Sequence, residues 1–251
     1  MSGPRHAMVL AAGRGERLRP LTATVPKPLI EIGGRTMLDR TLDKLADVGV
    51  EQAVVNVWHR AEAIVGRLEG RARPRIVVNR ESTLLDTGGG TLRALPHLGA
   101  GPFFVAATKM VWSDGPRPAL ARLAEAWDDG RMDALLLVQP LAAAEGFDGA
   151  GDFFLDGAGR LDPRGDRAAA PYAFTSLQII HPRLFDGAPA GAFSMWLPWR
   201  RALADGRLCG LVHDGAWCHV STAQGLACAR ARSWDARSRD ARSRDARSRD
   251  D

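Results

Sequence analysis

The 251-residue chain is 45% apolar and 25% charged, enough to bury one sizeable α/β core, and no apolar run approaches the ~18–20 residues of a membrane span. Its formal net charge of +5 lies mostly at one end: residues 230–251 hold eight Arg and five Asp, a net of +3, which leaves +2 for everything before them. A nearly neutral body argues against nucleic acid as a partner, and three cysteines, Cys209, Cys218 and Cys228, with no C-x-x-C pair exclude a disulfide framework and a zinc site.

Taken in chain order, residues 1–6 carry no apolar targeting segment, and residues 7–10 read as a strand that empties into a glycine-rich loop. That loop, Leu10-Ala11-Ala12-Gly13-Arg14-Gly15-Glu16-Arg17-Leu18-Arg19-Pro20-Leu21-Thr22, is followed by Pro26-Lys27-Pro28. Two glycines let backbone N–H groups approach a phosphate chain, and Arg17 and Lys27 bring full positive charges to the same oxygens. The pattern predicts a nucleoside triphosphate site. Met37, Leu38, Leu42, Leu45 and Val48 then recur at helical spacing over 36–48, with Gly49 as the stop.

Further strands are expected at 52–57, 75–78, 102–106 and 134–138, with crossover helices at 61–68, 90–95 and 118–127 between them. This alternation predicts an α/β fold, a Rossmann-like, mostly parallel sheet with helices on both faces. Ligands in such sheets bind beyond the carboxyl ends of the strands, where the loop after Leu10 and the segments after Val78 and Val105 fall. After Gln139 the pattern changes to short strands at 152–155, 174–180, 208–212 and 217–220, with a helical stretch toward the end of 192–205. From Ala236, Ala-Arg-Ser-Arg-Asp recurs three times with no apolar period to bury. The expectation is a domain over 1–232 and a disordered low-complexity tail over 233–251.

The Leu10–Lys27 motif resembles the signature of the sugar-1-phosphate nucleotidyltransferases. The likeness continues through Gly33-Gly34-Arg35-Thr36, Leu85-Asp86-Thr87-Gly88-Gly89-Gly90, Gly151-Asp152-Phe153 and Phe174-Thr175-Ser176 to Trp217-Cys218-His219-Val220-Ser221-Thr222. The T-G-G-G and G-D-F elements most resemble the N-acetylmuramate-1-phosphate uridylyltransferase branch, with its role in peptidoglycan recycling. The resemblance implies a glycosyltransferase-A-like architecture, a cytoplasmic location and transfer of a nucleotidyl group, UTP or dTTP favoured, to a sugar-1-phosphate. It makes Arg17 and Lys27 the catalytic cations, adds Asp86, Thr87 and Gly88 to the nucleotide site, and puts Asp152, Ser176 and Trp217 at the sugar. Asp86 or Thr87 would serve equally well as a helix N-cap.

The resemblance also implies Mg²⁺ held by two aspartates, and at both positions the chain departs from it. The residues there are Lys109 and His219, an ammonium with no lone pair and a poor Mg²⁺ ligand. Asp114, five residues on, is the substitute the sequence offers. Ser176 and Ser221 likewise replace family glycines. The alternative reading is a nucleotide- or nucleotide-sugar-binding protein of impaired turnover.

Overall fold

In the computed structural model, which describes residues 3–234, fourteen strands and six α-helices follow one another along the chain. The first strand β1 (His6–Leu10) is followed by the short β2 (Glu31–Ile32) and β3 (Arg35–Thr36), helix α1 (Met37–Asp47), β4 (Gln52–Val57), α2 (Ala61–Leu68) and β5 (Arg75–Arg80). Then come α3 (Asp86–Ala94), β6 (Phe103–Ala107), β7 (Met110–Trp112), α4 (Ala119–Ala126), β8 (Ala134–Pro140) and β9 (Ala144–Glu145). The remainder is β10 (Phe153–Leu155), β11 (Leu161–Pro163), β12 (Tyr172–Ile180), α5 (Trp196–Ala204), β13 (Leu208–Val212), β14 (Trp217–His219) and α6 (Ala223–Arg230).

Strands β5, β4, β1 and β6 pair in parallel, β12 joins β6 antiparallel, and β8 and the parallel β13 extend the sheet beyond it. On the other side of β12, β10 and β11 add antiparallel pairs, so β12 and β11 run against the other seven strands, the predicted mostly parallel arrangement. All six residues of β4 are buried, as expected of a strand covered on both faces. Alternate residues of β1 sort the two layers. Ala7 and Val9 pack with α1, α2 and α4 through Leu42, Ile64 and Leu120, while Met8 packs with α3 and α5 through Ala94 and Trp199.

The element boundaries follow local chemistry. Thr36 caps α1 by accepting from Asp39 N–H at 3.0 Å, and Gly49 follows with φ of 87°, a left-handed stop that glycine adopts without strain. Helix α3 starts at Asp86, four residues before the predicted start at 90. The glycines there did not break it, because close approach fixes them: a Cβ on Gly89 would lie 2.1 Å from the Gly191 carbonyl oxygen. Strand β12 carries a bulge between Phe174 and Gln178, with Ser176 at φ of 70° inside it.

A third cluster joins Leu18, Ile30, Ile32 and Met37 to Val111, Val220 and Leu226, and Trp234 closes it. This corrects the expected boundary at 232. Trp234 is buried and its Nε1–H donates to the Ala229 carbonyl at 2.7 Å, so the packed body runs at least through this residue. The rest of the expected tail, residues 235–251, lies outside the described residues. Among the described residues no helix is long and apolar enough to cross a membrane. Removing a buried indole that also makes a hydrogen bond leaves a large cavity, so Trp234→Ala should destabilise the fold by about 3 kcal/mol in urea unfolding. An unchanged unfolding midpoint would put the boundary back at 232.

Candidate functional site

The carboxyl ends of β1, β4 and β6 open into a cleft of about 730 Å³, lined by Leu10 to Arg17, Lys27, Asn56, Asp86, Thr87, Lys109, Ser176 and Ser221 among others. The loop after β1 forms one wall. Gly15 turns there at φ of 67°, and a Cβ on it would press on the Thr22 and Lys27 side chains at 2.9 and 3.1 Å. Thr22 is buried and its hydroxyl donates to the Gly15 carbonyl at 2.9 Å, which holds the turn shut. Gly13 faces open space, leaving its backbone accessible.

At the start of this loop the Ala11 N–H donates to Asn56 Oδ1 at 2.8 Å, and Asn56 Nδ2 donates to Glu81 Oε1 at 2.7 Å. The second Glu81 oxygen accepts from Leu85 N–H at 3.1 Å. Asn56 and Glu81 escaped the sequence reading. The available signal was position alone, an amide ending β4 and an acid just past β5, where an open α/β sheet places its ligand.

Lys27 sits between two prolines, its Nζ donating to Ser221 Oγ at 2.9 Å, and Ser221 Oγ lies 2.8 Å from His219 Nε2. The Ser221 hydroxyl thus links the Lys27 ammonium to the imidazole. Burial, reinforced by Lys109, Lys27 and Arg17, pushes the His219 pKa down to about 3, while its Nδ1 is buried with no partner among the described residues. Burial and the neighbouring Lys109 and Arg17 likewise bring the Lys27 ammonium down to about 7. Lys109 follows β6 and its carbonyl accepts from Val220 N–H at 2.8 Å, which ties it to the end of β14. Burial and then Arg17 lower its pKa too. Arg17 lies at the rim, mostly exposed, 3.4 Å from Asp148.

Other expected site residues stand elsewhere. Trp217 is fully buried, its Nε1–H on the Thr175 carbonyl at 3.1 Å and its ring stacked on His219 at 5.8 Å, so it supports the imidazole and cannot touch a sugar. Gly88 is buried off the cleft; its N–H and that of Gly89 donate to the Phe193 carbonyl at 2.9 and 3.0 Å. The Asp86 carboxylate folds back on Thr87 N–H at 2.6 Å, and Thr87 Oγ1 accepts from Met195 N–H at 2.9 Å instead of capping α3. Asp114 is ion-paired to Lys44 at 2.5 Å and caps α4 through Ala119 N–H at 2.9 Å, so it does not substitute as a metal ligand. Asp152 lines an adjoining cavity of about 410 Å³ with Arg164, Trp196 and Arg200, where burial raises its pKa although its carboxylate accepts from Phe174 N–H at 2.8 Å. Between the two cavities Trp196, Trp199 and Phe174 make edge-to-face contacts at 5.0 to 5.5 Å and form an aromatic floor.

The donor set does not fit a protein-held divalent ion. The two expected ligand positions present an ammonium and a buried imidazole, and no group of three His, Cys, Asp or Glu among the described residues could hold a metal. What the cleft offers is the glycine-rich loop flanked by Arg17, Lys27 and Lys109, a constellation whose charge suits an anion.

Residues 7–145 match the family described as the MobA-like NTP transferase domain. The chain is 40% identical over 238 residues, 93% of its own length and 98% of the relative's, to the N-acetylmuramate alpha-1-phosphate uridylyltransferase of Caulobacter vibrioides. It is 34% identical to the Neisseria meningitidis protein of the same name, over 90% of this chain and 96% of that one. Among solved structures, a UDP-glucose pyrophosphorylase complexed with UDP-glucose shares the fold with a TM-score of 0.76 at 14% identity, covering 91% of this chain and 97% of that one. A putative glucose-1-phosphate thymidylyltransferase from Bacillus anthracis superposes equally well, TM-score 0.76 at 18% identity, over 90% of this chain and 94% of that one.

Two outcomes follow from the geometry. Lys27 holds its proton below about pH 7 in the fold but to about 10.5 when unfolded, so the unfolded chain binds more protons between those values. Its contribution therefore becomes less unfavourable as the pH rises through that window. The stability difference between the wild type and Lys27→Met, from urea unfolding at pH 7 to 9.5, should move in favour of the wild type with rising pH; a flat difference would contradict a buried, crowded Lys27. Ser176 occupies a left-handed conformation where a side chain costs roughly 1–2 kcal/mol. Glycine relieves that strain but loses more entropy on folding, so Ser176→Gly should leave the melting temperature unchanged or raise it.

Proposed function

The chain belongs to the MobA-like NTP transferase domain family as a sugar-1-phosphate nucleotidyltransferase, and from that premise we propose that it joins UTP to N-acetylmuramate 1-phosphate. The observation that carries this reading is the convergence of Gly13, Arg17 and Lys27 on one cleft at the carboxyl edge of the sheet. The two relatives whose full length the chain matches are both named for that substrate pair. In the reaction a phosphate oxygen of the sugar phosphate attacks the α-phosphorus, the bond to the bridging oxygen breaks, and pyrophosphate leaves with the electron pair. No proton need move, so holding two anions in line and meeting the shifting charge is the work of the site.

Each residue has a part in this scheme. Lys27, fixed by Pro26, Pro28 and Ser221, bridges the α-phosphate and the incoming sugar phosphate. Arg17 leaves Asp148 at the rim and grips the departing pyrophosphate with its planar fork. Asp86 and Thr87 border the base, and Ser176 and Asp152 border the sugar. The thiols Cys209, Cys218 and Cys228 are all free, which supports the reading of a reducing cytoplasm.

Pyrophosphate release tests the proposal, measured for UTP, dTTP, CTP and GTP against N-acetylmuramate 1-phosphate and glucose 1-phosphate, with and without MgCl₂. UTP with N-acetylmuramate 1-phosphate should give the highest kcat/KM, dTTP following. Lys27→Ala should cost about 10²–10³-fold with every triphosphate, as expected for loss of one preorganised cation. A preference for another sugar phosphate would overturn the substrate assignment, and loss confined to one base would overturn the role of Lys27.

A further inference from the structure

Three cations, Arg17, Lys27 and Lys109, line one cleft, where burial first and neighbouring positive charge second lower both ammonium pKa values. Such a cluster is ordinarily relieved by carboxylates. Few are in contact here: Asp148 meets Arg17 only at the exposed rim, Glu16 lies there with Arg14, Asp86 lines the cleft with its carboxylate on Thr87 N–H, and Asp152 faces the adjoining cavity. Lys109 feels Asp152 and Asp86 at a distance, yet its ammonium makes no ion pair among the described residues. Lys27 has a hydroxyl for its partner, and behind that hydroxyl stands a neutral imidazole.

The missing counter-charge is therefore the ligand, and it must arrive carrying more negative charge than a metal-neutralised one. A divalent ion entering beside Lys109 would meet two ammonium groups, and neither of the two expected ligand positions supplies a carboxylate. Resting on the reading of this cleft as a nucleotide site, we infer that the protein takes its nucleoside triphosphate as the metal-free polyanion, with the Lys109 ammonium in the electrostatic place of the divalent cation. A lysine serves this part as a point charge: it has three rotatable donors and no need of ligating oxygens. The Val220 N–H bond to the Lys109 carbonyl holds its backbone beside Ser221, so Lys109 and Lys27 flank the same phosphate path.

Isothermal titration with UTP, in EDTA and in excess MgCl₂, tests this on the full chain. The wild type should bind in EDTA at least as tightly as with Mg²⁺, and its affinity should fall steeply with salt. Lys109→Met should lose tenfold or more in EDTA while its unliganded melting temperature stays level or rises, since a crowded charge is removed. Lys109→Arg should keep EDTA binding to within a few-fold, and Lys109→Asp should bind UTP only when MgCl₂ is present. Wild-type binding that requires MgCl₂ would overturn the inference and leave the nucleotidyltransferase reading standing. Unchanged affinity in Lys109→Met would overturn it as well. Failure of UTP to bind under either condition would bring down the nucleotide site itself, and the inference with it.

Discussion

The Asn56 side chain accepts from Ala11 N–H and donates to Glu81, whose other oxygen accepts from Leu85 N–H, so one buried carboxylate couples the loops that follow β1, β4 and β5. Each bond replaces water that a closed cleft would otherwise have to admit, and leaving any of these groups unpaired would cost about 1–3 kcal/mol. The phosphate loop, the β4 end and the entry to α3 therefore move as one body. The glycine-rich run of α3 belongs to the same constraint. A Cβ on Gly90 would lie 2.8 Å from Glu81 Oε1, and one on Gly89 would strike the Gly191 carbonyl. The triple glycine is thus a packing requirement that lets the Leu85–Leu92 segment lie between Glu81 and the loop before α5.

On that frame the second half of the chain supplies the deep end of the cleft. Strand β14 brings His219 under Lys27 through Ser221, spanning 194 residues in sequence. Trp217 stacks on the imidazole in a nearly parallel plane, and Phe147 leans on both rings at about 6 Å. Apolar packing on His219 keeps it neutral, and a neutral imidazole lets Ser221 serve as an acceptor toward Lys27. Cation, hydroxyl and ring thus form a polarised chain whose energetics depend on excluding water. The low pKa values of His219 and Lys27 share that origin: a dry floor beneath a ring of positive charge.

Much of this was legible in the sequence, for identifiable reasons. Strand β4 and helices α1 and α2 stood where apolar period and capping placed them, since Thr36, Gly49 and the unbroken run of β4 report local physics. The phosphate loop was legible because Gly15, Arg17 and Lys27 act within a few residues of one another. What failed to show depends on contacts between distant segments. Trp217 reads as an aromatic beside a sugar until its indole is seen on the Thr175 carbonyl, and Asp114 reads as a spare ligand until Lys44 occupies it. Trp234 lies next to a polar repeat, and only the α6 carbonyl it meets reveals that it is part of the core.

The bulge at Ser176 shows how a local departure is fitted into this design. Strand β12 pairs with β8 on both sides of the bulge, over 172–174 and 178–180, and with β6 from Leu177 onward, its register against β8 shifting between Phe174 and Gln178. The shift turns Phe174 toward Trp199 and lets its N–H take the Asp152 carboxylate. Thr175, between them, donates to the Leu137 carbonyl and thereby anchors the bulge to β8. A left-handed residue at 176 is the geometric consequence, and glycine would satisfy it freely. Serine there places a hydroxyl on the cleft wall at a conformational cost that the flanking hydrogen bonds sustain. Lys109 enters the same cleft from the end of β6, which pairs with β12, so three of the four residues that depart from the family pattern, Lys109, Ser176 and Ser221, border one volume. A hydroxyl at Ser176 and a cation at Lys109 are both able to meet the oxygens of an anionic guest.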